Sequence, residues 1–197
     1  MHQNLCTEEM SLQTGDALLV VDVQNDFLPG GSLAVPGGDE VIPVLNHYLA
    51  TFEAHRLPVF ATRDWHPLDH CSFHAQGGPW PVHCVAGTQG AEFAPGLQWP
   101  SSTSVISKAA SSERDAYSGF EGTDLNSQLR RAGVKRLFVG GLATDYCVLN
   151  TVKDALALGY QVVHLVDATR AVNVHPENGH RALEEMAHLG ALQESLV

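Results

Sequence analysis

Short apolar runs rich in β-branched residues alternate with stretches of helical periodicity, and this alternation restricts the fold more than any other feature. Nearly continuous apolar runs are typical of strands covered on both faces, as in parallel sheets. Strand–helix–strand order places crossover helices on both sides of such a sheet. We therefore predict an α/β fold, an open, mostly parallel six-stranded sheet in three α/β/α layers. The predicted strands are 17–23, 58–62, 103–107, 136–140, 161–166 and 191–194, and the predicted helices are 39–52, 123–132, 144–158 and 176–189.

Residues 16–197 are expected to form one domain. A chain of 197 residues suits a single domain, and no repeat or low-complexity tract divides it. Residues 1–15 are polar and precede the first strand, so we expect a flexible leader. Residues 67–100 are rich in Gly, Pro, Trp and His, which predicts a long functional loop rather than a linker.

Charge and cysteine content argue against several classes of partner. The net charge of −11 repels phosphate backbones and anionic lipids, so we expect no nucleic-acid or membrane partner. No apolar run reaches the roughly 18 residues that a membrane span needs, and no secretory signal opens the chain. The four cysteines include no Cys-x-x-Cys pair, which indicates a reduced, cytoplasmic protein. The sequence leaves monomer and homo-oligomer equally open.

The ends of the predicted strands carry the residues with chemical potential. Asp22 ends the first strand, Asp64 and His66 follow the second, and Lys108 follows the third. Cys147 opens the helix after the fourth strand. Ligands of open α/β sheets bind beyond the carboxyl ends of the strands. The sequence therefore predicts that a carboxylate, a metal-binding pair, an amine and a thiol converge on one rim.

Cys147 lies where a glycine turn leads from a strand into a helix. Thr144 is the expected N-cap, which would put the thiol in the first helical turn, near the positive end of the helix dipole. That position lowers a thiol pKa and favours the nucleophilic thiolate, and free N–H groups of the same turn could hold an oxyanion. The alternative is a small buried hydrophobic residue.

Asp22 and Lys108 have ordinary alternatives when each is considered alone. Asp22 could cap a turn, and Lys108 could be a solvated loop residue. Together with Cys147 they suit acyl transfer, in which the carboxylate takes the thiol proton and later delivers it to the leaving amine. The ammonium group would hold both negative charges in place.

A separate pattern indicates a metal. Asp64 and His66 are two residues apart, so both side chains point to one side of an extended strand end. His83 follows on the irregular loop. Two histidines and one carboxylate suit Zn²⁺, and equally Fe²⁺ or Mn²⁺, whereas the alternative is a turn aspartate with surface histidines. His70 and His74 are further ligands or solvated loop residues.

Seven segments together are far more specific than any one of them: VDVQNDF (21–27), GGSLAV (30–35), TRDWHP (62–67), GPWPVHCV (78–85), Lys108, AYSGF (116–120) and GGLATDYCV (140–148). In this combination and order they resemble the nicotinamidase branch of the isochorismatase-like cysteine hydrolases. The resemblance extends from about residue 15 to the C-terminus.

The resemblance implies an isochorismatase-like fold and hydrolysis of nicotinamide, and also of pyrazinamide, to the acid and ammonia. The reaction would pass through a cysteine acyl-enzyme and serve NAD salvage. The implied catalytic triad is Asp22, Lys108 and Cys147. The implied oxyanion hole is formed by the N–H groups of Ala143 and Cys147, with a cis peptide between Leu142 and Ala143.

The resemblance also implies one divalent metal ion on Asp64, His66 and His83, with zinc expected first. In relatives this metal binds the ring nitrogen of the substrate, and the branches that act on isochorismate or N-carbamoyl compounds generally lack it. His70 aligns roughly with a fourth histidine of some relatives, so the ligand count stays open. The implied walls of the ring pocket are Phe27, Trp80 and Tyr117.

Two other functions compete with this hypothesis. The first keeps the thiol hydrolase but changes the substrate to a carbamoyl compound or another small amide, and metal content separates it from a nicotinamidase. The second is a non-catalytic metal-binding or thiol redox protein. That class would explain the histidines and cysteines, but it gives no reason for Asp22 and Lys108 at the same rim.

Overall fold

A single six-stranded sheet forms the centre of the computed structural model, which describes residues 11–195. Its strands are β1 (Asp16–Val21), β2 (Val59–Asp64), β3 (Ser104–Lys108), β4 (Arg136–Leu142), β5 (Gln161–Arg170) and β6 (Leu192–Glu194). They lie in the order β3-β2-β1-β4-β5-β6, and every neighbouring pair is parallel. The predicted α/β fold with an open, parallel six-stranded sheet is confirmed.

The burial of the strands follows their place in the sheet. Every residue of the central β1 is buried, because helices cover both of its faces. In the edge strand β3, Val105 is exposed while Ile106 is buried. Strand β5 continues to Arg170, four residues beyond the predicted end at 166. Polar residues after 166 ended the apolar pattern, but a register shift against β4 lets pairing resume at Thr169.

Four α-helices within the described residues complete the three layers: α1 (Val41–Ala54), α2 (Leu125–Arg131), α3 (Leu149–Ala157) and α4 (Asn178–His188). Helix α1 buries Leu45 and Phe52 against one face of the sheet. Helices α2, α3 and α4 cover the other face through residues such as Leu129, Val152 and Met186. Fully burying one side chain of this size contributes about 1.5–3 kcal/mol to the stability of the fold. Both faces of the sheet therefore stabilise the protein.

The helix predicted over 144–158 begins differently from the expectation. A π-helical turn, Thr144–Val148, precedes α3, and the N–H of Val148 donates to the carbonyl of Ala143 five residues earlier. Ala143 occupies the N-cap position in an extended conformation, without a side-chain cap hydrogen bond. The prediction that Thr144 is the N-cap is therefore wrong, because the wider turn moves the helix start by one residue.

The long connection between β2 and β3 has little regular structure, as predicted. Short bridges order it, pairing His66 with Val85 and Phe73 with Trp80. Within residues 11–195, no helix is long and apolar enough to cross a membrane. Residues 1–10, most of the predicted leader, lie outside the described residues.

Candidate active site

The strand order creates a crevice where the catalytic candidates meet. From β1 the chain builds β2 and β3 on one side, and β4, β5 and β6 lie on the other. Ligands of such sheets bind at this switch point, outside the carboxyl ends of the strands. Asp22 directly follows β1, Cys147 lies in the turn after β4, and Asp64 pairs in register with Lys108 at the ends of β2 and β3. The structure thus brings together the residues that the sequence placed on one rim.

The ammonium group of Lys108 lies at the centre of this cluster. Its Nζ is 2.5 Å from Asp64 Oδ1, 2.9 Å from Asp22 Oδ2 and 3.5 Å from Cys147 Sγ. It also donates a 3.0 Å hydrogen bond to the carbonyl of Ala116. The residue is 1% exposed, so these contacts take the place of solvent.

Asp22 is completely buried and uses its two oxygens differently. Oδ1 accepts a 2.6 Å hydrogen bond from the hydroxyl of Thr62. Oδ2 has the ion-pair contact with Lys108 but no hydrogen bond among the described residues. One oxygen of Asp22 is therefore held in place, whereas the other remains able to accept a proton.

Burial dominates the protonation of the thiol and of its carboxylate neighbour. It raises the pKa of Cys147 well above the usual value, and Lys108 offsets this only in part. The prediction that the helix start lowers this pKa is therefore wrong. Burial likewise raises the pKa of Asp22. For Lys108, burial works against the charge, but Asp22 and Asp64 outweigh it and raise the pKa well above its usual range.

Asp64, His66 and His83 form a buried cluster beside the thiol. One ligand atom of each lies within 4.8 Å of the others. His66 Nδ1 lies 3.1 Å from the carbonyl of Ala109, and His83 Nδ1 lies 2.8 Å from that of Pro81. Because a carbonyl only accepts, both Nδ1 atoms carry the proton and both Nε2 atoms are available as ligands. Ligands about 2 Å from one ion lie about 3–4 Å apart, so the cluster fits a divalent metal.

Asp64 belongs to both clusters. Its Oδ1 contacts Lys108, whereas its Oδ2 lies 3.6 Å from His66 Nε2. Burial works against the charged form of Asp64, but Lys108 and His66 outweigh it and hold its pKa well below the usual range. Burial opposes protonation of both histidines. For His66 the interaction with Asp64 outweighs burial and the pKa is raised. For His83 burial prevails and the pKa is lowered.

The ring of His70 packs against the metal-binding cluster through His66. It stacks on His66 with 4.1 Å between ring centroids. Its Nδ1 lies 2.7 Å from Ser72 Oγ, and its Nε2 lies 3.2 Å from the carbonyl of Arg114. Both nitrogens therefore have protein partners, which argues against His70 as a fourth ligand. His74 is exposed and contacts a carbonyl of its own loop.

A mainly apolar pocket opens onto Cys147. The three aromatic residues expected from the resemblance, Phe27, Trp80 and Tyr117, all line it. Trp80 Nε1 donates a 2.9 Å hydrogen bond to the hydroxyl of Tyr117, which fixes one wall. Sequence reasoning missed Tyr146, which also lines the pocket and packs edge-on against Trp80 with ring centroids 5.1 Å apart. Its position beside Cys147 in the chain was the available signal.

The residues expected to form an oxyanion hole border the same pocket. Ala143 and Cys147 both line it, and the peptide between Leu142 and Ala143 is cis. The carbonyl of Ala143 accepts the N–H groups of Tyr146 and Val148. This pair of bonds holds the turn that carries the thiol.

Sequence reasoning also missed the role of Gln24. Its buried side-chain amide donates to the carbonyls of Asp64 and Ala91, at 2.8 and 2.9 Å, and accepts the N–H of Asp64 at 2.8 Å. The amide thus binds both backbone groups of Asp64 just beyond the last β1–β2 pair. Gln24 thereby holds Asp64, which belongs both to the cluster around Lys108 and to the metal-binding cluster.

Comparison with known proteins places these features in a family. The family model described as Isochorismatase domain matches residues 16–195. The nicotinamidase of Escherichia coli K12 is 40% identical over 196 residues, covering 89% of this chain and 92% of the relative. The nicotinamidase/pyrazinamidase of Mycobacterium tuberculosis is 44% identical over 178 residues, covering 86% and 93%.

A solved structure with the same fold was obtained in complex with zinc. The pyrazinamidase of Pyrococcus horikoshii in complex with zinc superposes with a TM-score of 0.88 at 49% identity. The match covers 92% of this chain and 99% of that one. Together with the geometry of the cluster, this similarity supports a divalent metal in the present chain.

Proposed function

The chain belongs to the isochorismatase family, and within that family we propose that it hydrolyses nicotinamide to nicotinate and ammonia. The observation that carries the proposal is the shared Asp64, which joins a buried Cys–Lys–Asp cluster to a metal-binding cluster in one pocket. A thiol hydrolase of carbamoyl compounds would not need the metal-binding cluster of Asp64, His66 and His83. Pyrazinamide is a second expected substrate, because it has a ring nitrogen in the same place relative to the carboxamide.

Substrate binding would use the apolar walls and the metal cluster together. Phe27, Trp80 and Tyr117 enclose a flat aromatic ring and exclude water from it. When bound to Asp64, His66 and His83, a divalent metal would supply a Lewis acid that holds the ring nitrogen. The pocket walls would keep the carboxamide carbon facing the thiol of Cys147, and such orientation is a large part of catalysis.

Attack on the carboxamide would begin with proton transfer from Cys147 to Asp22. Burial raises the pKa of Asp22, which favours its taking the proton. Burial also raises the pKa of Cys147 and opposes release of the proton, and Lys108 offsets this in part. Lys108 stays charged and stabilises the thiolate at 3.5 Å. Sγ then bonds to the carbonyl carbon, and the N–H groups of Ala143 and Cys147 stabilise the oxyanion.

Breakdown of the intermediate would return the proton. Asp22 protonates the amide nitrogen, the C–N bond breaks, and ammonia leaves with a thioester remaining on Cys147. Asp22 then takes a proton from water, which attacks the thioester. Nicotinate departs and Cys147 recovers its proton, so the cycle ends with the protein unchanged.

We propose zinc as the metal, since two histidines and one carboxylate are a zinc ligand set and the similar pyrazinamidase was solved with zinc. We propose a cytoplasmic role in NAD salvage. The free state of Cys71, Cys84 and Cys147, the cysteines among residues 11–195, supports a reducing environment.

Ammonia release from nicotinamide by the purified protein tests the proposal. Wild type, Cys147→Ala and a chelator-treated sample would be assayed in parallel, with zinc content measured for each. We expect release by wild type alone, and full zinc content in Cys147→Ala. Full activity in that variant would refute the role of the thiol. A folded, metal-loaded wild type without activity would refute the substrate and direct the search to other small amides.

A further inference from the structure

The active site contains a second cluster with the geometry of a metal site. Asp22, Asp64 and Cys147 are buried, and one ligand atom of each lies within 4.8 Å of the others. The ligand atoms of Asp64, His66 and His83 also lie within 4.8 Å of one another. Two clusters able to hold a metal therefore lie side by side and share one carboxylate.

The donors of the second cluster would attract the same ions as the first. A thiolate and two carboxylates bind Zn²⁺ and softer divalent ions, at about 2.3 Å for sulfur and about 2.0–2.2 Å for oxygen. The contact of Asp22 Oδ2 is the 2.9 Å ion pair with the ammonium group of Lys108, so this oxygen could bind another cation only if that group were absent. An ion bound there would hold the sulfur of Cys147 as a ligand and block it as a nucleophile.

A protein cation already occupies this position. Lys108 Nζ contacts the three donors of the second cluster at 2.5 Å (Asp64), 2.9 Å (Asp22) and 3.5 Å (Cys147). The ammonium group is as buried as the donors themselves. It fills the space an ion would need, and its charge repels a divalent cation at close range.

We propose that Lys108 has a function besides its part in the proposed acyl transfer: it keeps the divalent metal out of the Asp22–Asp64–Cys147 cluster. The protein must bind a divalent ion a few ångströms from a thiol, and the shared Asp64 would let that ion reach the sulfur. A covalently attached monovalent cation prevents this, because it cannot diffuse away and cannot ligate the thiol. Lys108 thereby selects which of two overlapping sites the metal occupies.

Metal stoichiometry tests this proposal without any measurement of activity. Metal-free wild type, Lys108→Ala and Lys108→Arg would be titrated with Co²⁺, with bound metal counted by equilibrium dialysis. The sulfur-to-cobalt charge-transfer absorption reports ligation by Cys147. We expect one ion and no charge-transfer band in wild type, but two ions and a strong band in Lys108→Ala. Lys108→Arg retains a cation and should behave as wild type.

Two further variants assign the signal and guard against misfolding. Lys108→Ala combined with Cys147→Ala should return to one ion and lose the band. Lys108→Ser provides a second small, polar replacement, and circular dichroism checks the fold of each variant. A folded Lys108→Ala or Lys108→Ser that binds one ion without a band overturns the proposal. A second ion bound without a band, or a band in wild type, overturns it as well. Wild type that binds no ion would instead contradict the proposed metal cofactor.

Discussion

Replacing His164 by leucine should make the stability of the protein less sensitive to acid. His164 lies on β5 and is completely buried. Its Nε2 lies 3.2 Å from Thr169 Oγ1, and its Nδ1 has no hydrogen-bond partner among the described residues. Burial lowers its pKa to about 4, although Asp167 acts in the opposite direction. The imidazole is therefore held neutral in the folded protein.

The size of the effect follows from this pKa. In the unfolded chain a histidine has a pKa of about 6.5, so the unfolded state binds more protons as the pH falls below that value. The native protein then loses stability between about pH 6.5 and about pH 4. Each pKa unit is worth about 1.4 kcal/mol, which gives a loss of about 2 kcal/mol at pH 5 and about 3 kcal/mol at pH 4.

Urea unfolding of the metal-free proteins from pH 7.5 to pH 4.5 measures this loss. The difference in unfolding free energy between wild type and His164→Leu should shift in favour of the variant by about 2 kcal/mol between pH 7 and pH 5. Other titrating groups contribute equally to both proteins and cancel. Thr169→Val removes the hydrogen bond but keeps the imidazole, so its curve should parallel wild type. Parallel curves for wild type and His164→Leu would refute the reasoning.

Two further predictions concern the backbone around the site. Gln24→Met removes three buried hydrogen bonds, two to the backbone of Asp64 and one to the carbonyl of Ala91, and should weaken zinc binding about 10- to 100-fold. Chelator competition measures this affinity, and Asn46→Met, which removes a similar amide clamp elsewhere, should leave it unchanged. Gly141→Ala should lower the free energy of unfolding by about 4 kcal/mol or more, because a Cβ there would overlap the backbone of β1. Gly159→Ala, also at positive φ but in open space, should lower it by about 1–2 kcal/mol. Equal losses of stability in thermal unfolding would contradict the steric argument.

The sequence indicated the strands well because burial on both faces leaves a local record in the chain. Each of the six predicted strands has a counterpart in the sheet. The boundaries were less accurate where local pattern and pairing diverge. Strand β5 continues through polar residues because Thr169 and Arg170 still pair with residues of the neighbouring strand β4. A local sequence pattern contains no information about such a neighbour.

Part of the site was accessible from the sequence for the same reason. Asp22, Asp64 and Lys108 lie at or just past the ends of predicted strands, so the rule that ligands bind at the carboxyl ends of parallel strands selected them. His83 lies on an irregular segment, where its residue type made it a candidate ligand. The aromatic walls also lie on irregular segments, and only the resemblance pointed to them. Tyr146 was missed because its position beside Cys147 in the chain does not by itself show that its ring lines the pocket.

The sequence by itself determined roughly where the strands lie, because periodicity and β-branched composition act over a few neighbours. Only the tertiary structure decided how those ends meet. Strand order and register bring Lys108 into contact with Asp22 and Asp64, and packing from several elements buries Cys147 and raises its pKa. The orientation of His70 towards Ser72 rather than towards the metal cluster likewise depends on contacts across the loop. The distances between these side chains and the loss of solvent around them depend on how distant parts of the chain pack together. No local stretch of sequence contains that information.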